Sequence, residues 1–226
     1  SSKVVESNKD ISLKLEKIKF KFDVKDFNLF LETKNPELIY KDLLIPIQNV
    51  KAYLDFFSLI KSNTKIEKIN ISSKEINIDE FKEIVLKTKP SNLNSLITNK
   101  IKNGKLIINL ELYFNDNFDI DNFIARGDVQ DMNGIINSDL SLMNTSFNFF
   151  ADSSDILIKN IKGDMGGLLI RKGNLQIKRN EEITLNSDFD SEININNENI
   201  FNYLPHIKNI KFINKETNLN ANLQNF

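Results

Sequence analysis

The residue types that nucleophilic or acid–base catalysis needs are scarce in this chain of 226 residues. His206 is the only histidine, it directly follows Pro205, and cysteine is absent. A nucleophile needs a base within hydrogen-bond reach, and no serine lies in the Gly-x-Ser-x-Gly sequence of a nucleophile elbow. A lone imidazole in this setting is typical of a surface or loop residue. The sequence therefore predicts a protein that is not an enzyme and has no catalytic residues.

Two short stretches resemble ligand-binding loops only in part. Asp119 and Asp121 could serve as positions 1 and 3 of a calcium loop, but Ile124 and Gln130 stand where such a loop needs Gly and Glu. Residues 163–167, Gly-Asp-Met-Gly-Gly, lack the lysine of a phosphate-binding loop and the spacing of a dinucleotide site, and are typical of a hairpin turn. We therefore predict no metal site and no cofactor.

Alternating Ile, Leu and Phe side chains indicate a different kind of function, the binding of apolar ligands. In the second half of the chain these residues recur at every second position, opposite Asn, Ser, Asp and Lys. This period puts the apolar side chains on one face of a strand, and a long aliphatic surface is what lipid acyl chains require. The residues predicted to line a lipid groove are Leu106, Ile108, Leu110, Leu112, Ile156, Ile158, Leu168, Ile170, Leu175, Ile177, Ile183 and Leu185.

The elements that would position these residues are strands joined by tight turns. Turn-forming residues occur at 115–117, 131–134, 152–155, 163–167, 172–174 and 179–182, a spacing typical of an antiparallel sheet. The predicted fold is mainly β, a long antiparallel and twisted β-sheet or groove with a few short helices. A one-sided sheet must cover its apolar face. The cover could be a second sheet, closure of the sheet on itself, or a ligand that is not protein.

The first half of the chain contains a strand pair interrupted by an apolar cluster. Residues 45–54 and 66–78 alternate as strands, whereas Phe56, Phe57, Leu59 and Ile60 fit one or two helical turns and are predicted to form an end plug. A second small plug is predicted at 201–204, followed by a strand at 207–213. Upstream, the apolar positions change phase near residues 16–17, which indicates a β-bulge or a bend between 11–15 and 18–22.

Two helices are predicted between these halves. Asp79 is expected to cap the first, which carries Phe81, Ile84 and Val85, and Ser91 is expected to begin the second. The predicted domains are an N-terminal β unit with the short helical plug (1–88), a helical connector (89–103) and an antiparallel β-meander that continues the groove (104–226).

Charge and hydropathy exclude some partners. The chain has 30 Lys plus Arg against 31 Asp plus Glu, and the lysines are scattered, so no nucleic-acid partner is expected. No stretch reaches the roughly 18 to 20 apolar residues of a membrane span. The abrupt ends of the sequence suggest a segment of a longer protein.

Several hydrophobic patterns resemble the AsmA-like family of bacterial envelope proteins (the TamB and YhdP group). They are KDFNLFL at 25–31, VKAYL at 50–54, IEKINI at 66–71, NFIARGDV at 122–129, IKNIKG at 158–163 and GNLQI at 173–177. The resemblance covers most of residues 20–205. It implies a protein without catalytic residues that is tethered to the inner membrane and crosses the periplasm. Like the bridge-like lipid transfer proteins, it would conduct phospholipids between envelope membranes along an apolar β-groove.

Two other classes of protein remain open from the residues alone. The apolar stripe also fits the closed core of a structural or adhesin-like β-sandwich, in which a polar substitution would unfold the chain. A β-rich enzyme acting on polysaccharides would need paired carboxylates in a cleft, and no spacing in the sequence pairs them. Protein partners and the identity of the lipid are not indicated. A charge at Ile108, Leu110 or Ile177 is predicted to block lipid uptake without unfolding.

Overall fold

The structure, a computed structural model, describes residues 10–15, 17–23, 28–54, 65–136, 140–179, 183–193 and 217–225. The elements are β1 (Ile11–Lys14), β2 (Ile18–Asp23), β3 (Asn28–Lys34), β4 (Glu37–Tyr40), β5 (Leu43–Ile45), β6 (Ile47–Leu54), β7 (Ile66–Ser73), β8 (Ile76–Asn77), α1 (Ile78–Leu86), α2 (Asn92–Lys100), β9 (Ile101–Phe114), β10 (Ile120–Ile135), β11 (Ser141–Ala151), β12 (Asp155–Met165), β13 (Leu168–Arg179), β14 (Ile183–Ile193) and β15 (Thr217–Asn225). The predicted fold class, mainly β and antiparallel with a few short helices, is confirmed.

The chain forms two compact units. Unit 1 holds residues 1–76 and 107–126, and unit 2 holds residues 77–106 and 127–226. Strands β9 and β10 contribute residues to both units. These units cut across the predicted segments 1–88, 89–103 and 104–226, which stay a prediction; α2 lies within the predicted connector.

Unit 1 contains two sheets. Its larger sheet has the strand order β2-β3-β6-β7-β9-β10, with the parts of β9 and β10 that belong to this unit, and its smaller sheet has the order β1-β4-β5. Strand β2 pairs with β3, while β1 pairs with β4, so the chain changes sheets between β1 and β2. The phase change near residues 16–17 therefore falls between two strands of different sheets and is not a bulge within one strand. Glu16 itself lies outside the described residues.

Unit 2 is one antiparallel sheet with two helices. The strand order follows the sequence, β9-β10-β11-β12-β13-β14-β15, and the unit contributes to no second sheet within the described residues. Gly166 and Gly167 both have positive φ and join β12 to β13, as a two-residue hairpin turn requires. The Gly167 N–H donates to Asp164 Oδ1 at 2.8 Å. The predicted turn is thus confirmed in its second half, whereas Gly163 lies inside β12.

Two other predicted turns are wrong. Residues 131–134 lie inside β10 and residues 172–174 lie inside β13, so the chain does not reverse at either place. Instead, Asp131 has φ 51° and the pairing of β13 with β14 shifts between Ile170 and Lys172. Asn144 and Asn160 have positive φ in β11 and β12, again beside shifts of register. Asp and Asn tolerate this conformation, so residues that suggest turns produce β-bulges.

The two helices lie close to their predicted positions, with different first residues. Strand β8 ends at Asn77, so Ile78, predicted in a strand, is the first residue of α1. Asn77 is the N-cap residue and makes no side-chain cap hydrogen bond, while Asp79 lies in the first turn. The prediction that Asp79 caps the helix is therefore wrong. Ser91 caps α2 as predicted, because its Oγ accepts from the Asn94 N–H at 3.1 Å. In the part of the chain that the structure describes, neither helix has the length and apolarity to cross a membrane.

Some predicted features lie outside the described residues. They are the end plug of Phe56, Phe57, Leu59 and Ile60, the second plug at 201–204, His206 and the strand at 207–213. These features therefore stay predictions.

Candidate functional site

Eight of the residues predicted to line a groove, those on β12, β13 and β14, share one face of the sheet in unit 2. Directly opposed residues of antiparallel strands point to the same side, and the register pairs Ile156 with Ile177 and Ile177 with Leu185. The β13 bulge brings Leu168 and Ile170 to this side as well, although their parity differs from that of Ile177. The unit 2 apolar face is defined here as Phe149, Ala151, Ile156, Ile158, Leu168, Ile170, Leu175, Ile177, Ile183, Leu185 and Phe189.

Most of this face is neither buried nor fully exposed. Ile156 and Ile158 of β12 and Leu175 and Ile177 of β13 are partly exposed, although both strands lie inside the sheet with a neighbour on each side. Ile183 at one end of β14 is exposed, and Ile170 is buried. A closed core would bury inner-strand residues almost completely. The unit 2 apolar face is therefore covered only in part.

One predicted lining residue of unit 2, Leu106, belongs to a packed interior. Its side chain is 4% exposed, and Ile78, Val85, Val129 and Met132 of the same unit are also buried. A Cβ atom on Gly104 would lie 3.2 Å from Ile78 Cγ1, so the start of α1 packs against β9. Leu106 is covered by its own unit, and a ligand cannot reach it without rearrangement of that unit.

Unit 1 has an apolar face of its own that sequence reasoning missed. One row across the strands is Phe20, Leu31, Ala52, Ile69 and Leu112, and the next is Ile18, Thr33, Val50, Ile71 and Leu110. Ile108, the third predicted lining residue of β9 in this unit, continues the alternation and is partly exposed. The signal was present in the sequence, because β2, β3, β6 and β7 show the same alternation as β9. Exposure rises towards the sheet edge, where Phe20 is 62% exposed.

The opposite face of unit 1 is an array of charged and aromatic side chains. Glu111 Oε1 lies 3.6 Å from an Arg126 guanidinium nitrogen, and its Oε2 lies 3.7 Å from Lys68 Nζ and accepts a hydrogen bond of 2.8 Å from the Tyr113 hydroxyl. Lys68 Nζ also lies 4.5 Å from the centre of the Tyr53 ring. Burial and the hydrogen bond to Glu111 raise the pKa of Tyr113. These groups contact one another, so this array stabilises the sheet.

Glu32 is the one buried carboxylate of that array. Its Oε2 lies 2.5 Å from Lys21 Nζ, and this contact, with Coulombic attraction to Lys21, Lys51 and Lys34, lowers the pKa of Glu32 against the opposing effect of burial. The ionised form is therefore favoured by folding. Its stabilising contribution is complete above the unfolded pKa and is lost as the pH falls through the folded pKa.

Glu32→Gln is expected to lower the free energy of unfolding at pH 7 by about 1 kcal/mol, because Lys21 loses a charged partner but stays partly hydrated. Urea denaturation measured in steps from pH 7 to pH 3 should show the difference from the parent chain shrinking below the ordinary carboxyl pKa of 4.5. Glu37→Gln, which removes an exposed partner of Lys14, is the control and should change stability by less than about 0.5 kcal/mol. A constant Glu32→Gln deficit over this pH range would show that the carboxylate charge is not its cause.

On the polar side of unit 2, asparagine side chains connect neighbouring strands beside the bulges. Asn148 Nδ2 donates to Asp128 Oδ1, and Asn160 Nδ2 donates to Asn148 Oδ1 at 2.9 Å. Asn133 Oδ1 accepts from the Asn144 N–H at 2.8 Å. These bonds hold strands together where the regular backbone ladder is interrupted. Their role is structural.

The carboxylates of the structure offer no metal site among the described residues. At the stretch that was compared with a calcium loop, Asn115 Oδ1 accepts hydrogen bonds from the backbone N–H groups of Asn117 and Asp119, at 3.0 Å each. Asp116 pairs with Lys65, which lowers the pKa of Asp116. The stretch is an ordinary turn held by an asparagine and an ion pair.

The fold and the two faces define a class: a mainly β protein whose antiparallel sheets have apolar faces that remain partly exposed. A scan of protein-family models finds none that matches, and no curated protein or solved structure shows significant similarity to the chain. The AsmA-like resemblance therefore depends on the hydrophobic patterns of the sequence alone and is carried forward as a proposal.

Proposed function

We propose that this chain is a lipid-binding segment of an AsmA-like envelope protein, tethered to the inner membrane in the periplasm, and that it supports phospholipid transport or outer-membrane biogenesis. Acyl chains would lie against the apolar sheet faces while head groups stay in water. The protein would act without catalysis, by sheltering apolar chains during transfer.

The observation that carries this proposal is the partial exposure of the inner strands of unit 2. Ile156, Ile158, Leu175 and Ile177 lie side by side on β12 and β13 and stay accessible. Apolar contact contributes about 0.8 kcal/mol for each methylene removed from water, so an acyl chain along these strands would be held without any polar partner. A surface without specific polar contacts also permits the chain to slide. The adhesin-like sandwich requires these positions to be closed.

The test compares two lysines at neighbouring positions of β13. Ile177→Lys places a charge on the unit 2 apolar face, while Gln176→Lys places the same charge on the opposite face, where Gln176 pairs with Leu157 and Asn186. The charge at position 177 should prevent about two methylenes of the acyl chain from contacting the sheet, and this should weaken phospholipid binding roughly tenfold. The charge at position 176 should leave phospholipid binding unchanged. Native mass spectrometry of the purified chain with added phospholipid measures the bound fraction.

Circular dichroism melting of both variants separates the competing outcomes. The proposal expects both to remain folded. Unfolding by Ile177→Lys alone would favour the closed sandwich, because a buried lysine is not tolerated in a packed core. A folded Ile177→Lys chain that binds phospholipid like the parent would remove this face as the lipid site.

A further inference from the structure

The helical part of unit 2 combines a net positive charge with exposed leucines. Between residues 84 and 106 the chain has five lysines (Lys87, Lys89, Lys100, Lys102 and Lys105) and no Asp or Glu, and all five lysines are exposed. The acidic residues of α1 are Asp79, Glu80 and Glu83, and Asp79 is paired with Lys82. Over residues 78–105 the chain therefore has six lysines against three acidic residues, so the segment has a net positive charge.

Three leucines in the same segment are more exposed than a folded interior allows. Leu86 is 70%, Leu93 is 59% and Leu96 is 53% exposed, and α2 has no buried residue. Leu93 and Leu96 are three residues apart and so lie on one face of α2, together with Ile97, which is partly exposed. Because no α2 side chain is fully buried, tertiary packing of its apolar face contributes little to the stability of this helix.

The turn between the helices is nevertheless well fixed. The Asn94 Nδ2 group donates to Thr88 Oγ1 and to the Lys89 carbonyl oxygen, both at 2.8 Å. Ser91 caps α2 through the Asn94 N–H, and the Thr88 hydroxyl donates to the Val85 carbonyl oxygen at 2.7 Å. The helical hairpin of α1 and α2 is therefore a preformed element that presents its leucines without folding on contact.

We propose that this hairpin docks the protein on an anionic phospholipid surface, with Leu93 and Leu96 entering the headgroup region and Lys89, Lys100 and Lys102 lying among the phosphates. Basic side chains around a small apolar helix face are what interfacial binding requires, and the lysine stems can lie along the apolar region while their charges stay in water. A second copy of the chain is a poor occupant, because two such hairpins would bring like charges together. The inference does not depend on acyl-chain binding by the sheets.

The test is sedimentation of the whole chain with vesicles of phosphatidylcholine containing roughly one-third phosphatidylglycerol, against vesicles of phosphatidylcholine alone. The parent chain should bind the anionic vesicles and lose most of this binding at high salt. Lys89→Gln with Lys100→Gln should lower the partition coefficient about 25-fold, since each lysine near such a surface contributes about fivefold. Leu93→Gln with Leu96→Gln should lower it about tenfold, and circular dichroism verifies that both variants are folded.

The control removes two lysines of unit 2 from exposed positions on β12, Lys159→Gln with Lys162→Gln, and should leave the partition coefficient within about twofold of the parent value. Equal loss in this control would assign binding to net charge and overturn the hairpin site. Equal binding to anionic and neutral vesicles would also overturn the hairpin site, and so would the absence of binding to both. Binding to immobilised polyglutamate but not to vesicles would mean that the hairpin binds an acidic protein instead.

The hairpin proposal and the lipid-groove proposal can be tested independently. The hairpin variants should still bind phospholipid in native mass spectrometry, and Ile177→Lys should still bind anionic vesicles. Each proposal can therefore fail while the other holds.

Discussion

Leu106→Ala is expected to lower the free energy of unfolding by about 3 kcal/mol, roughly three times the loss expected from Leu175→Ala. The two substitutions remove the same atoms from residues that the alternation of the sequence treats alike. Leu106 is buried in unit 2, whereas Leu175 on the unit 2 apolar face is partly exposed. Truncation at Leu106 loses apolar burial and leaves a cavity in a packed interior. Truncation at Leu175 removes surface that water already reaches in part.

Equilibrium denaturation followed by far-ultraviolet circular dichroism measures both losses, and the signal suits a chain that has no tryptophan. The midpoint and the slope of each transition are needed, because a changed slope would indicate a different unfolded or intermediate state. Equal losses at the two positions would mean that the inner strands of unit 2 are closed, and the lipid proposal would lose the observation that carries it. A small loss at both would mean that α1 does not cover β9 tightly.

The alternation of apolar residues predicted the strands well and their exposure poorly. Period two assigns Leu106 and Leu175 to the same class of position, because it reports which side of a strand a residue occupies. Which part of that side is covered depends on where α1 lies, and α1 reaches β9 through Ile78 and Gly104. Ile78 was itself predicted in a strand, so the packing contact could not be predicted from the pattern.

The bulges show a second limit of sequence reasoning. Asp131 in β10 and residues 172–174 in β13 have the residue types of turns, and the chain passes both without reversing. Positive φ favours Asn, Asp and Gly in turns and in bulges alike, so residue type alone cannot decide between them. The sequence does contain a signal for one bulge. The apolar residues of one strand-like run change from even positions, Ile156 and Ile158, to an odd position, Ile161. The structure places Asn160, with φ 55°, at that change.

For the unit 1 apolar face, the apolar side of β9 could be predicted from the sequence, but the strands that extend this face could not. The lining prediction began at Leu106, in the meander that starts near residue 103, and left out the strands before it. The pairing of β7 with β9 then adds Ile69 and Ile71 opposite Leu112 and Leu110. Long-range partners of this kind are set by the order in which strands pair, and neighbours in sequence do not reveal that order.

Gly163→Val is expected to lower the free energy of unfolding by about 3 kcal/mol, because the space beside Gly163 is already filled by the neighbouring strand. A Cβ atom at this position would lie 2.5 Å from Thr145 Oγ1 and 3.0 Å from Thr145 Cα. The hydroxyl could be removed, but the Cα atom belongs to the backbone of β11. Strand β12 must therefore separate from β11 at a place where their register already shifts between Met143 and Ser146.

Two further variants separate this steric account from a general intolerance of side chains in the strands of unit 2. Thr145→Ala removes the 2.5 Å contact and leaves the one at 3.0 Å, so it should recover only part of the Gly163→Val loss, about 1 kcal/mol in a double-mutant cycle. Gly134→Ala in β10 meets its nearest neighbour, the Lys100 carbonyl oxygen, at 3.2 Å, and should cost less than about 1 kcal/mol. Full recovery by Thr145→Ala would place the whole clash on the hydroxyl. Additive losses would show that the close approach of β11 and β12 is not what excludes a side chain at Gly163.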